Sequence, residues 1–203
     1  PKYVFKNAKL RKYFKEVSMH SYWSGADTKK NAENYFSDKY SKYSVAATEY
    51  CQMTDDKNTG VYDLIAKEKN GTNGTSIKYG VAMANTIVDD LTIMNANEWD
   101  WWTACSYGTY TDGLIYLDED NHENLDFSKR YYCLGNFSKF IKEGAVRVAC
   151  SSGVKNVRSV AFVNEDNTVV TVYVNNNDKK AYTTIDCEGD YAVYTTDRDN
   201  DIA

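Results

Sequence analysis

The chain has one proline in 203 residues, at position 1, two histidines, and five cysteines without a CxxC pair. Each scarcity removes a class of function. Zinc sites need clustered Cys and His, and Cys51, Cys105, Cys133, Cys150 and Cys187 are too widely spaced to supply one, so neither a metal nor a cofactor is expected. The odd count leaves at least one thiol unpaired within the chain, and the five read as small buried hydrophobes. No apolar run approaches the roughly 20 residues that cross a bilayer, so no membrane span is expected. The 24 Lys and Arg are outnumbered by 29 Asp and Glu, giving a net charge of -5, and form no basic stripe, which argues against a nucleic-acid partner. The opening PKYVFKNAKL lacks an initiator Met and the charged and apolar regions of a signal peptide, and reads as a cut or processed end.

What is present suits a globular protein with a real core: 42% hydrophobic residues, 14% of the chain aromatic. The sequons at Asn70, Asn73 and Asn136 arise readily by chance in an Asn-rich chain. DEDNHE at 118–123 lacks the ligand spacing and central Gly of a calcium loop and reads as a solvated loop.

Hydrophobic period divides the chain near residue 145. Before it, strand and helix patterns alternate. EVSMHSYW (16–23) reads as a strand, KKNAENYFSDKYSKY (29–43) as a helix, and SVAATEYC (44–51) as a second strand. After a loop at NGTNGT come a helix, SIKYGVAMANTIVDDLTIM (76–94), a strand, EWDWWTACS (98–106), and a helix, SKRYYCLGNFSKFIK (128–142), ending at Gly144. This is the grammar of parallel βα units. After Gly144 the period becomes two, in VRVACSS, NVRSVAFVNE, TVVTVYVNNN, KKAYTTIDC and YAVYTTD, separated by Asn, Asp and Gly turns. That pattern predicts a small antiparallel β-sandwich over 145–203, beside an α/β unit over 1–144.

In βα architecture, function gathers where the C-terminal ends of strands face a common crevice. Three such ends carry unusual chemistry: His20, Ser21, Tyr22 and Trp23; Glu49, Tyr50 and Cys51; Trp99, Asp100, Trp101 and Trp102. One carboxylate, groups to hydrogen-bond it, and indole faces suit a sugar, whose C–H faces stack on Trp and whose oxocarbenium-like charge is met by a carboxylate nucleophile. The blander alternatives stand beside this. An isolated Glu at a strand end is more often solvated or ion-paired, and a lone His is more often a hydrogen-bonded core residue. Side chains alternate along a strand, so the three Trp cannot all face one way. Tyr131, Tyr132, Phe137 and Phe140, at helical spacing, read as core.

The order MHSYW, ATEYC, NEWDWW, then RYYCLGNFSKFIKEGAVRV resembles the later part of glycoside hydrolase family 30, which includes glucocerebrosidases, glucuronoxylanases and microbial β-1,6-glucanases and galactanases. The last segment is the most specific, because YxLGxFSKFI followed by EGxxRV marks the family's passage from the final barrel helix into its side sandwich. The resemblance covers nearly the whole chain. It implies the last three βα units of a (β/α)8 barrel over 1–144, followed by the β-sandwich side domain over 145–203. It implies Glu49 as the strand-seven nucleophile of a retaining enzyme, His20 and Tyr22 as the strand-six pair around it, and Trp102, or alternatively Trp101, as the strand-eight aromatic flooring the sugar site.

The chain departs from the family in one respect. The family's acid/base is a Glu on strand four, usually in an Asn-Glu-Pro context, and no such motif occurs here. A whole barrel takes about 250 residues. The expectation is therefore a C-terminal, nucleophile-bearing portion whose partner is the missing N-terminal half, and a chain that is inactive alone. Glu98, Asp100 and Asp112 are not expected to replace the missing group. The parent is expected to cleave a plant or microbial polysaccharide (galactan, glucan or xylan) and to be secreted, because such substrates lie outside the cell. The alternative is a non-catalytic carbohydrate-binding or structural fragment.

Overall fold

The computed structural model describes residues 6–59, 61–67, 75–107, 110–121, 123–186 and 189–202. The sequons at Asn70 and Asn73, His122 and Cys187 lie outside the described residues.

The chain begins with a short helix α1 (Ala8–Arg11), then β1 (Glu16–His20), α2 (Ala26–Tyr40), β2 (Ser44–Glu49), α3 (Val61–Lys67) and α4 (Ile77–Thr92). Four short strands follow: β3 (Glu98–Trp99), β4 (Cys105–Ser106), β5 (Ile115–Leu117) and β6 (Leu125–Phe127). Helix α5 (Lys129–Ser138) leads into β7 (Val146–Val148), β8 (Val157–Val163) and β9 (Val169–Asn175). The strands form three sheets of three, each in chain order: parallel β1-β2-β3, mixed β4-β5-β6 and antiparallel β7-β8-β9.

Val45, Ala46 and Ala47 are buried, as a strand covered on both faces requires. Val45 and Ala47 pack with Met94 and Ala96, with Met19 and Phe36 beside them. Helix α4 is the hub. Met83, Ala84, Ile87 and Val88 on it share one core with Leu114, with Cys133 and Phe137 of α5, and with Val160, Phe162, Val172 and Val174 of the antiparallel sheet. Each fully buried large aliphatic side chain there contributes roughly 1.5–3 kcal/mol. Helices α4 and α5 meet so closely that a Cβ on Gly80 would lie 2.6 Å from Cys133 Sγ and 3.1 Å from the Lys129 carbonyl.

The elements fall where the periods put them, most with shorter bounds, while α2, expected over 29–43, keeps its length and lies three residues earlier. The strand expected over 98–106 is regular only at Glu98–Trp99; beyond it Asp100 and Trp102 still donate to the Ala47 and Tyr50 carbonyls, and β4 then pairs in a different sheet. The hairpin of β5 and β6 and the helices α1 and α3 were not expected from the sequence. Beyond residue 145, β7, β8 and β9 match three of the five expected strands. KKAYTTIDC and YAVYTTD form no named strand among the described residues, where only the bridge Thr196–Asp201 appears. Alternation alone does not make a strand; a neighbouring backbone must accept its ladder. Of the four aromatics read as core on α5 and just after it, Phe137 is buried, Tyr132 and Phe140 are half-buried, and Tyr131 is exposed. Tyr131 packs instead edge-on against Phe127 and Tyr132.

Candidate active site

Parallel pairing brings the ends of β1, β2 and β3 together. The register runs Met19 opposite Ala47 and then His20 opposite Glu49, so β2 carries one extra residue at this point. Such an irregularity reverses the side-chain parity of everything beyond it. In regular alternation Glu49 would follow Val45 and Ala47 toward the helix layer; the extra residue sets it abreast of His20 instead.

Tyr22 Oη donates a hydrogen bond of 3.0 Å to Glu49 Oε1 and lies 3.7 Å from Cys51 Sγ. Burial, and then Cys51 and Glu49, push the Tyr22 phenol far above its ordinary value, so it stays a donor. His20 Nδ1 lies 3.7 Å from the same carboxylate oxygen, an ion-pair distance longer than a hydrogen bond. The Glu49 side chain is 30% exposed, open enough to meet a reactant.

The three Trp divide as alternation requires. Trp99 donates its indole N–H to Asp90 Oδ2 at 2.9 Å. Trp101 donates to the Asp112 carbonyl at 2.6 Å and lies beneath the Arg130 guanidinium, 5.5 Å from it. Both rings pack around the buried Tyr50. Trp102 remains 53% exposed, its backbone N–H on the Tyr50 carbonyl at 2.9 Å, and a cis peptide joins it to Thr103. Glu49, Tyr22 and His20 therefore come together at one rim, Trp102 stands exposed with its backbone joined to the residue after Glu49, and Trp101 is turned into the interior.

Two buried charged groups hold that rim, and neither stood out in the sequence. Asp90 of α4 accepts from Lys29 Nζ at 2.8 Å, from Ser21 Oγ at 2.9 Å and from Trp99, tying α2, the end of β1 and β3 to one carboxylate. Arg130 of α5 donates to Gln52 Oε1 at 3.0 Å, to the Gly113 carbonyl at 2.8 Å and to Tyr116 Oη at 2.6 Å. Gln52 lies three residues beyond Glu49, so Arg130 steadies the loop that carries the carboxylate's chain onward. Sequence separation hides both groups. Lys29 sits among charged residues of an exposed-looking helix, and nothing local pairs it with Asp90.

Of the other carboxylates at these strand ends, Asp112 lies close enough to Cys51 to raise its thiol, after burial. The Glu98 carboxyl is raised by Asp100 first and by Glu16, at the opposite end of β1. Asp112 accepts from Ser106 Oγ at 2.7 Å. Among the described residues no group of three or more His, Cys, Asp or Glu could hold a metal ion.

A family model described as O-glycosyl hydrolase family 30 matches residues 1–116, more than half of the chain. The chain belongs to glycosyl hydrolase family 30. The family's β-sandwich domain matches residues 144–199. Solved structures agree in fold with this family 30 chain. A conserved exported protein from Bacteroides fragilis superposes with a TM-score of 0.76 at 24% identity, over 94% of this chain and 42% of that one. A family 30 subfamily 8 xylanase from Clostridium acetobutylicum gives 0.64 at 19% identity, over 98% and 44%. The catalytic domain of a family 30 xylanase from Talaromyces cellulolyticus gives 0.58 at 22% identity, over 84% and 34%. The family 30 chain thus spans less than half the length of these structures.

Proposed function

We propose that this chain is the C-terminal, nucleophile-bearing portion of a retaining β-glycosidase that cleaves a polysaccharide outside the cell. The observation that carries the reading is the hydrogen bond from Tyr22 to Glu49 at the ends of parallel strands, with the exposed Trp102 on the next strand joined by its backbone to Tyr50. Its parallel strands would be the sixth to eighth of a (β/α)8 barrel, and residues 145–203 its side sandwich. Glu49 attacks the anomeric carbon and the glycosidic bond breaks, leaving a glycosyl ester that water later hydrolyses. Tyr22 holds the carboxylate oxygen in place and His20 lines the same subsite. Trp102 stacks on the sugar's C–H face.

Retaining hydrolysis needs a second carboxyl about 5–5.5 Å from the first to protonate the leaving oxygen. In the motif order of this family that group belongs to an earlier strand, so these 203 residues alone are inactive and the missing N-terminal half is their partner. Similar structures named as xylanases and as an endo-β1,6-glucanase support a β-linked polysaccharide as substrate, and the exported Bacteroides protein supports an extracellular setting.

The test is intact mass after incubating the full-length protein that contains this chain with 2-fluoro glycosyl inactivators. One glycosyl adduct on the peptide containing Glu49, absent in Glu49→Gln, is the expected result. Glycan binding without any adduct across a panel of sugars would replace the enzyme by a carbohydrate-binding module.

A further inference from the structure

Trp23 follows Tyr22 directly and has a left-handed backbone, with φ at 52°, in a region where a bulky residue is rare. Such a conformation costs about 1–3 kcal/mol and persists only where surrounding contacts impose it. Here they do. The indole N–H donates to Asp55 Oδ1 at 3.1 Å, and the Trp23 carbonyl accepts from Asn58 Nδ2 at 2.7 Å. Both partners lie on the loop that follows Glu49, so the ends of β1 and β2 are clasped through this one residue.

Within this chain the clasp leaves the ring uncovered. Trp23 is 46% exposed, and with its N–H already bound to Asp55 the ring surface it offers to water is apolar. Its centroid lies 5.6 Å from that of Tyr22, whose hydroxyl touches Glu49. A single aromatic ring therefore separates a fixed, outward indole from the carboxylate. A latch would need only the polar atoms; an exposed, immobilised indole next to the site is a surface for stacking.

We infer that Trp23 is a second sugar platform, which takes the ring adjacent to the one facing Glu49 and so selects chains over single sugars. The inference rests on the glycosidase reading above. Apolar C–H faces would leave water against an indole held in place beforehand, so little ordering entropy opposes the contact.

The experiment uses the full-length protein, with xylo-oligosaccharides and β1,6-gluco-oligosaccharides of increasing length, and a one-sugar 2-fluoro inactivator in parallel. Trp23→Ala should raise KM for the longer members roughly tenfold, a loss of about 1.4 kcal/mol. Labelling at Glu49 should fall far less than turnover of the longer members, because Tyr22 keeps its own bond to the carboxylate, and Trp23→Phe should retain most of the length preference. If Trp23→Ala does not fold, Trp23→Leu keeps the apolar volume, lacks the aromatic face and carries the same comparison. An unchanged KM for long oligosaccharides in a variant that still labels overturns the platform while leaving the glycosidase intact. Equal loss of labelling and of oligosaccharide turnover in both Trp23→Ala and Trp23→Phe also overturns it, because the residue is then a latch for Tyr22. Wild-type protein that neither labels nor binds any of these sugars removes the glycosidase reading and the platform with it.

Discussion

Tyr22 is the residue on which the site turns, because it is the one neighbour within hydrogen-bond distance of Glu49 among the described side-chain contacts. A hydrogen bond to a charged acceptor contributes about 1.5–3 kcal/mol. Tyr22→Phe should therefore slow labelling of Glu49 in the full-length protein by about ten- to a hundredfold, with the melting temperature little changed; labelling at the wild-type rate would mean that the bond does not orient the carboxylate. His20→Ala, which removes a longer contact, should slow labelling less than Tyr22→Phe in the same assay. At this scale the sequence was informative wherever chemistry sits at a strand end. Glu49 could be picked out as a candidate from its place at a strand end, against the more usual solvated or ion-paired carboxylate; Tyr22 and Trp102, with Trp101 as the alternative, came forward through the family resemblance. Asp90, Lys29 and Arg130 were not legible, since a charged residue on a helix carries no mark that distinguishes a solvated one from one buried against a residue tens of positions away.

Secondary-structure elements are joined by these buried charges and by one unusually close helix contact. Removing one partner of a buried ion pair costs about 3–5 kcal/mol, because the other charge is left without compensation. Lys29→Met should lower stability to urea by that order, and since Asp90 also holds Ser21 and Trp99, near-UV circular dichroism of the Trp cluster should weaken in the native baseline. Gly80→Ala places a methyl group against Cys133 Sγ and should cost about 1–3 kcal/mol. Cys133→Ala should recover part of that loss; independent, additive effects in the double variant would show that the helices do not meet at this point. Helix and strand positions were readable from period alone. Their ends were less so, because Gly25, Ser76 and Ser128 precede α2, α4 and α5 without a side-chain capping bond, so the two serines there do not act as the caps their type suggests.

Over the whole molecule, alkaline pH is the condition that tests the core. Burial pushes the Cys133 thiol up to about 12 from its ordinary 9.0, and the Tyr50 phenol up to about 12 from 10.0. The unfolded chain loses these protons first, so stability is level below about pH 9 and falls as pH rises from there toward 12. Urea midpoints measured from pH 7 to 11 should show this decline, and it should shrink in Cys133→Ala; a midpoint that rises with pH would contradict the burial of both groups. The two periods of the sequence, helical before residue 145 and alternating after it, made the chain look like two bodies. That division was legible because local period needs only local residues. The shared core was not, because it depends on which faces meet.

Helix α4 lies in the segment matched by the O-glycosyl hydrolase model, yet it supplies the floor on which Val160, Phe162, Val172 and Val174 of the sandwich segment rest. The seam in the sequence is therefore not a seam in the core. Exchanging side domains between relatives by cutting near residue 144 would transplant a sheet without the surface it was shaped against. A functional chimera would have to carry the core residues of α4, Met83, Ala84, Ile87 and Val88, along with the graft.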